Sequence, residues 1–353
     1  MKLFKSVIVF ACVISCLHTT AQNAIPVISN ITALADTVFH KLNITFNVTE
    51  AENENLEIFL GVSADSGISY PYNTANATGH IGFPVSAGSN RHIEWYYPDS
   101  LSAMLPRLSV KLTANDRYAI DIQQIVNQID TARLRQNLQF IEGIRHRLTD
   151  STHLKIVQDS IYKAFQRYGL QARKHDVLFN SAYTGKNIIG RKPGAVNDTR
   201  TYIFDGHYDT VDDSPGADDN GSAIAAMLEV LRVISPLPLQ NTIEFIGFDL
   251  EEAGLVGSET FVQNGIQSYE NIAGVINADM IGYYSTVPYS QTIPAGFDLI
   301  FPALYSRLVA DSFRANFIIS SANDSSVGLL SLFESMAAQY VPGLLVGSIQ
   351  IPG

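Results

Sequence analysis

The sequence predicts a mixed α/β fold, in which a mostly parallel sheet is flanked by helices and preceded by a small all-β sandwich. Between residues 201 and 279, three short apolar runs (YIFDG, IEFIGF and AGVINA) each lead into acidic residues or a histidine. A helix-like run at 222–233 separates the first two. This alternation is typical of a parallel sheet with crossover helices. A different pattern, over residues 24–114, predicts the sandwich.

The start of the chain is typical of a secretory signal peptide, residues 1–21. Two lysines and an apolar run at 7–14 precede a small-residue cleavage site at 19–21. Residues 13–16 also resemble a bacterial lipobox, which would leave a lipid anchor on Cys16. We therefore expect a secreted, periplasmic or surface-anchored protein. The apolar run is too short to span a bilayer, so we expect no transmembrane helix in the mature chain.

Residues 24–114 alternate apolar and polar side chains in short runs such as KLNITFNVTE and RHIEWYY, separated by turn-rich segments. Short strands at this spacing predict an antiparallel sandwich that resembles an immunoglobulin- or fibronectin-like accessory module. Trp95 is expected in its core. Residues 115–130 are interpreted as a linker, and residues 131–353 as a second, α/β domain.

Apolar periodicity predicts the other elements of this second domain. Residues 131–147 and 151–168 have the spacing of amphipathic helices, and residues 171–179 and 186–191 that of strands which extend the sheet. After residue 279 we expect helices at 297–313 and 327–338 and a final strand at 341–349.

Acidic residues and one histidine follow the strands of the predicted sheet. Because the carboxyl ends of parallel strands meet at one rim, we expect seven side chains to converge there: His207, Asp209, Asp218, Asp219, Glu251, Glu252 and Asp279. One imidazole among carboxylates matches zinc in its catalytic form. Carboxylates this close repel one another unless cations compensate them, so the pattern predicts a site for one or two divalent ions.

Four motifs resemble those of peptidase family M-28, the co-catalytic zinc aminopeptidases: GHYD at 206–209, PGADDNGSA at 215–223, LEEAGLVGS at 250–258 and NADM at 277–280. Their order and spacing also agree. The resemblance covers roughly residues 130–353, and it implies the phosphorylase/hydrolase-like fold of zinc exopeptidases.

The resemblance implies a set of metal ligands. His207 and Asp279 look like ligands of one zinc, and Glu252 looks like a ligand of the other. Asp219 resembles the carboxylate that bridges both ions, although Asp218 is an alternative from the residues alone. Two further residues have implied catalytic functions: Glu251 resembles the general base, and Asp209 the residue that orients His207.

The family completes its second zinc site with a late histidine, and this chain has no histidine after His207. We therefore expect residues 131–353 to be an incomplete peptidase domain or one that has lost this ligand. Under either account the His207 zinc should be held more tightly, so this chain is expected to hold about one zinc in place of two.

The charge composition of the chain restricts the classes of molecule that it could bind. The 353-residue chain has 23 basic and 34 acidic residues and a net charge of −11, which argues against nucleic acid. The resemblance implies a zinc exopeptidase, most simply an aminopeptidase, that acts on peptide or protein substrates, and the signal-peptide pattern predicts that it is secreted. Two alternatives remain open: a binding protein on an impaired peptidase scaffold, and a related carboxypeptidase or glutaminyl cyclase.

Overall fold

A computed structural model of the chain describes residues 26–65, 67, 70, 72–117, 122–181, 183–194, 197–237 and 239–352. The predicted signal peptide, its cleavage site and Cys16 lie outside these residues.

Two antiparallel sheets form the first part of the described chain. The strands are β1 (Val27–Asp36), β2 (Lys41–Thr49), β3 (Asn55–Ser63), β4 (Thr78–Gly79), β5 (Gly82–Ser86), β6 (Gly88–Tyr96) and β7 (Ser109–Asn115). One sheet has the order β1-β2-β6-β4 and the other β5-β3-β7. Inward side chains of both sheets, among them Phe46, Ile58 and Trp95, share one buried core. The expected sandwich and the core position of Trp95 are thus observed.

Three helices follow: α1 (Ile122–Asn127), α2 (Thr131–Ile141) and α3 (Ser151–Arg167). The predicted linker thus contains a helix, α1, whose short apolar pattern the sequence reasoning missed. The helix predicted to reach Arg147 ends at Ile141, because Gly143 adopts a φ of +128° and the Arg145 side chain turns into the protein.

The central sheet contains β8 (Gln171–Phe179), β9 (Tyr183–Lys192), β10 (Asn197–His207), β11 (Asn241–Phe248) and β12 (Asn271–Asn277), in the order β12-β10-β11-β9-β8. The strands β12, β10 and β11 are parallel to one another, whereas β9 and β8 are antiparallel to their neighbours. The crossover helix α4 (Gly221–Ile234) packs with α2 and α3 on one face. The short helix α5 (Val256–Thr260) and a π-helical turn (Phe261–Gly265) follow β11. The predicted mixed sheet flanked by helices is confirmed.

The last described segment forms α6 (Phe297–Ile300), α7 (Pro302–Ala310), β13 (Phe317–Asn323), α8 (Val327–Tyr340) and β14 (Leu345–Ile351). The single helix predicted at 297–313 is two helices, since Pro302 begins a new one. The final strand begins later than predicted, at Leu345, and pairs in parallel with β13. None of the helices in the described part of the chain combines the length and the apolar character that a membrane span requires.

Candidate metal centre

The site lies where three parallel strands end. His207 is the last residue of β10, and its register partner on β11 is Phe248. Glu251 and Glu252 follow β11 in a turn, and Asp279 follows β12. The sheet therefore brings the three acidic residues to the rim where the sequence placed them.

Asp219 reaches the same rim from the turn before α4. Asn220 caps this helix by accepting a hydrogen bond from the amide of Ala223 (3.4 Å). The Asn220 Nδ2 group also donates to the Ala278 carbonyl oxygen at 2.9 Å, next to Asp279. One side chain thus fixes the Asp219 turn against the segment that carries Asp279.

Two groups of metal-binding atoms share His207. One group contains His207, Asp219 and Asp279, and the other contains His207, Glu251 and Glu252, with the ligand atoms of each group within 4.8 Å of one another. The Nε2 atom of His207 lies 3.1 Å from Asp219 Oδ1. This is close to the separation, roughly 3.4 Å, of two ligands of one tetrahedral zinc. The donor set therefore fits zinc, and the first group contains the three ligands that the resemblance implied for one ion.

His207 is buried, with an exposed fraction of 4%. Its Nδ1 atom lies 3.2 Å from the backbone oxygen and 3.4 Å from the carboxylate Oδ1 of Asp209. Burial alone would lower the pKa of His207, but hydrogen bonding to Asp209 and the surrounding carboxylate charges raise it to about 9. Since Nδ1 faces Asp209, only Nε2 is available to a metal ion.

Asp209 has a second contact that the sequence did not indicate. Its carboxylate accepts hydrogen bonds from the backbone amides of Glu251 (3.1 Å) and Glu252 (3.2 Å). One buried aspartate thus connects the end of β10 to the turn after β11. The catalytic roles of Asp209 and Glu251 stay predictions.

The electrostatics of the rim favour a cation. Burial, followed by neighbouring carboxylates, raises the pKa values of Glu251, Glu252 and Asp279, although the nearby His207 opposes the shift. These acids are harder to ionise because they share a partly dry site with too little positive charge. A dication between them supplies that charge.

Sequence reasoning did not single out two buried residues behind the rim. Asp249 is fully buried and accepts hydrogen bonds from the amides of Leu250 (2.9 Å) and Lys186 (3.0 Å), so it anchors the start of the turn that carries Glu251. Its position directly after an apolar strand was an available signal. Arg145 is also fully buried and contacts two segments of the site. Its only sequence signal was a charge within a predicted amphipathic helix.

The remaining acidic residues differ in position. Asp218 does not join either ligand group; its Oδ1 atom accepts a hydrogen bond from the Gly282 amide at 2.8 Å. Asp212 and Asp213 are exposed loop residues.

An apolar cavity of about 860 Å³ opens beside the ligands. Asp218, Asp279 and Tyr283 form part of its wall, and the rest is largely aliphatic and aromatic, including Ile129, Val233, Met280, Ile281 and Phe317. Tyr283 is half exposed.

The model of peptidase family M28 matches residues 187–335. This region contains every predicted ligand and both predicted catalytic residues. The aminopeptidase YwaD of Bacillus subtilis is 41% identical over 101 residues, which cover 28% of this chain and 22% of YwaD.

Two fungal relatives match longer stretches. A probable zinc metalloprotease of Pyrenophora tritici-repentis is 29% identical over 46% of this chain and 44% of its own length. Leucine aminopeptidase 1 of Coccidioides posadasii is 27% identical over half of each chain. The chain thus spans half or less of the length of these curated relatives.

Proposed function

We propose that this chain, whose residues 187–335 match the model of peptidase family M28, is a zinc-dependent exopeptidase that removes amino-terminal residues from peptides. The observation that carries the proposal is the pair of ligand groups around His207, one of which contains Glu251. The matching relatives are named as aminopeptidases and zinc metalloproteases, which supports a metallopeptidase with zinc as its metal.

Zinc, when bound, supplies Lewis-acid polarisation of a peptide carbonyl and of water. His207, Asp219 and Asp279 would hold it at the rim. The Glu251 carboxylate would accept a proton from the attacking water and pass it to the leaving amine. The raised pKa of Glu251, caused first by burial, suits a group that must gain and then release a proton. Asp209 would keep Glu251 in place through its backbone amide.

The charge around the site favours an amino-terminal substrate over a carboxyl-terminal one. A carboxypeptidase needs a cation to bind the terminal carboxylate. The two ligand groups and the described cavity wall contain acidic residues but no lysine or arginine. Such a surface attracts the ammonium group of a free amino terminus, and the apolar cavity next to it provides room for an apolar side chain.

Three peptides of otherwise equal sequence test the proposal: one that begins with a free leucine, its N-acetylated form, and one that begins with glutamine. Mass spectrometry after incubation with the zinc-loaded chain should show loss of leucine from the first peptide only, which stops on chelation and returns with zinc. Carboxyl-terminal trimming would indicate a carboxypeptidase, and loss of ammonia from the glutamine peptide a cyclase. Zinc binding without turnover of any peptide would favour a binding protein on a peptidase scaffold.

We also propose that the chain is exported. The support is the charged start, apolar run and small-residue site of residues 1–21. Mass spectrometry of the mature amino terminus from an expressing bacterium distinguishes the two routes. Cleavage after Ala21 would indicate an ordinary signal peptide, and a diacylglycerol group that is lost in Cys16→Ser would indicate a lipoprotein. An unprocessed Met1 would refute export by either route.

A further inference from the structure

Arg145 lies between α2 and α3 and is completely buried. Its guanidinium group donates only to backbone carbonyl oxygens, which belong to Ile141 (2.8 Å), Gly143 (2.8 Å), Tyr208 (2.6 Å), Pro215 (3.0 Å) and Gly216 (2.9 Å). No ion pair between Arg145 and a carboxylate occurs among the described residues. A buried arginine that has five carbonyl partners and no carboxylate partner is an unusual arrangement, because burial of a charge is costly.

The carbonyl acceptors belong to the segments that carry the metal ligands. Tyr208 lies between His207 and Asp209 at the end of β10. Pro215 and Gly216 lie in the turn that leads to Asp219. One planar guanidinium, with its fixed fork of donors, therefore joins the His207 segment to the Asp219 segment.

Backbone contacts around Arg145 strengthen this connection. The Arg145 amide donates to Thr210 Oγ1 at 2.8 Å, and the Thr210 amide donates to the Arg145 carbonyl oxygen at 3.0 Å. Gly216 has a φ of +55°, and a Cβ atom there would lie 2.3 Å from Thr210 Cγ2 and 2.8 Å from an Arg145 nitrogen. No larger residue fits at this position, so the two segments approach as closely as their backbones allow.

Charge gives a second reason for a cation at this place. Burial lowers the pKa of Arg145 to about 10, while the negative charges of Asp209 and Asp219 oppose that shift. The guanidinium is thus still protonated at neutral pH. It lies beneath a rim of carboxylates and offsets part of their mutual repulsion.

We infer that Arg145 is a positioning residue for the metal centre, which sets the distance between His207 Nε2 and Asp219 through the carbonyl groups of residues 208, 215 and 216. This inference rests on the proposed zinc site. Arg145 reaches no ligand atom and no substrate; it acts through the two segments. The competing interpretation is that Arg145 only stabilises the fold.

A zinc-affinity measurement separates the two interpretations. Zinc dissociation constants would be determined by competition with a fluorescent chelator, together with the melting temperature of each chelated protein. The matched control is Arg191→Met, because Arg191 is also buried (4% exposed) and bonds Asp198 at 2.8 Å, at the opposite end of β10 from His207. Both substitutions should lower the melting temperature.

Only Arg145→Met should weaken zinc binding, by about 10- to 100-fold, the usual effect of removing a residue that orients metal ligands. Arg145→Lys, which keeps the charge but not the fork of donors, should recover part of that loss. Unchanged zinc affinity in folded Arg145→Met, or an equal loss in Arg191→Met, would overturn the inference. If the unsubstituted chain bound no zinc, that result would refute the proposed zinc site and, with it, the inference about Arg145.

A milder pair of variants covers the case in which Arg145→Met does not fold. Thr210→Val removes the acceptor of the Arg145 amide and keeps the arginine. Thr242→Val is its control, since Thr242 is equally buried but bonds Asp198 and the Gly194 amide. Several-fold weaker zinc binding in Thr210→Val alone is expected, and equal affinities in the two variants would contradict the positioning role.

Discussion

At the scale of single residues, this site depends on backbone groups as much as on side chains. Asp209 and Asp249 each accept hydrogen bonds from amides of the turn that begins after β11. Glu251 is therefore held close to His207, with 3.7 Å between Oε2 and Nε2, while its own carboxylate stays partly exposed. Because Asp209 and Asp249 fix the turn, the Glu251 carboxylate can gain and release a proton while the turn keeps its position.

Replacement of Glu251 tests its assignment as the general base. Glu251→Ala should leave zinc content largely unchanged and slow hydrolysis by ~10²–10⁴, the usual contribution of a positioned base. Zinc content would be measured by elemental analysis and turnover by release of an amino-terminal leucine. Asp213→Ala, at an exposed loop acid, is the control. Full activity in Glu251→Ala would refute the assignment, and loss of zinc would make Glu251 a ligand.

The sequence could predict that His207, Asp219, Glu252 and Asp279 meet at one rim, because each follows an apolar strand or precedes a helix in a recognisable pattern. It could not predict the contacts of Arg145 and Asp249, because their partners are mostly backbone groups brought from distant parts of the chain. Sequence patterns record side chains, whereas these contacts depend on where carbonyl and amide groups meet after folding.

At the scale of elements, β11 carries a buried acid, Glu244, on the face of the sheet opposite the one that packs against α4. Glu244 is fully buried, and burial together with the charge of Glu270 raises its pKa to about 8, against smaller opposing effects of Arg173 and Arg191. Folding therefore favours the protonated form of Glu244. Its contribution to stability is complete below the ordinary pKa of about 4.5 and is lost as the pH rises through about 8.

The melting temperature of the wild-type chain should accordingly fall between about pH 4.5 and about pH 8, and Glu244→Gln should reduce that fall. Each unit of pKa shift corresponds to roughly 1.4 kcal/mol, so the difference should be measurable by calorimetry. Glu259→Gln, at an exposed position, is the matched control for loss of one carboxyl group. Parallel pH profiles for wild type and Glu244→Gln would show that Glu244 is ionised in the folded protein.

The bounds of the helices and strands show where the spacing of apolar residues is enough to predict an element. Residues 171–179 form a strand with the predicted bounds, because alternation and turn residues agree there. The helix predicted to reach Arg147 stops at Ile141, because buried hydrogen bonds of Arg145 outweigh its apolar spacing. The predicted linker contains α1, whose apolar residues are too few for a clear pattern; two of them, Ile125 and Val126, line the cavity beside the ligands.

At the scale of the whole molecule, the sandwich touches the α/β part through polar contacts. Lys111 Nζ donates to the carbonyl oxygens of Pro193 (3.1 Å) and Gly194 (3.0 Å), and the Tyr70 amide donates to Asp198 Oδ2 at 2.6 Å. The hydrophobic cores of the two parts are separate. Such an interface is typical of domains that can fold independently.

Limited proteolysis should cut between β7 and α1, near residues 116–121, and leave two folded pieces. Circular dichroism of the separated pieces should show strand content in the smaller and mixed content in the larger. Loss of structure in both pieces after one cut would show that the two cores depend on each other.

The central claim is that a zinc ion is held around His207. Both ligand groups need His207, and only its Nε2 atom faces them, so one tightly held zinc is expected. Native mass spectrometry after dialysis measures this directly. The account predicts about one zinc in the wild-type chain and in Asp213→Ala, and none in His207→Ala. A zinc that remains in His207→Ala, or two zincs that resist dialysis in the wild-type chain, would contradict it.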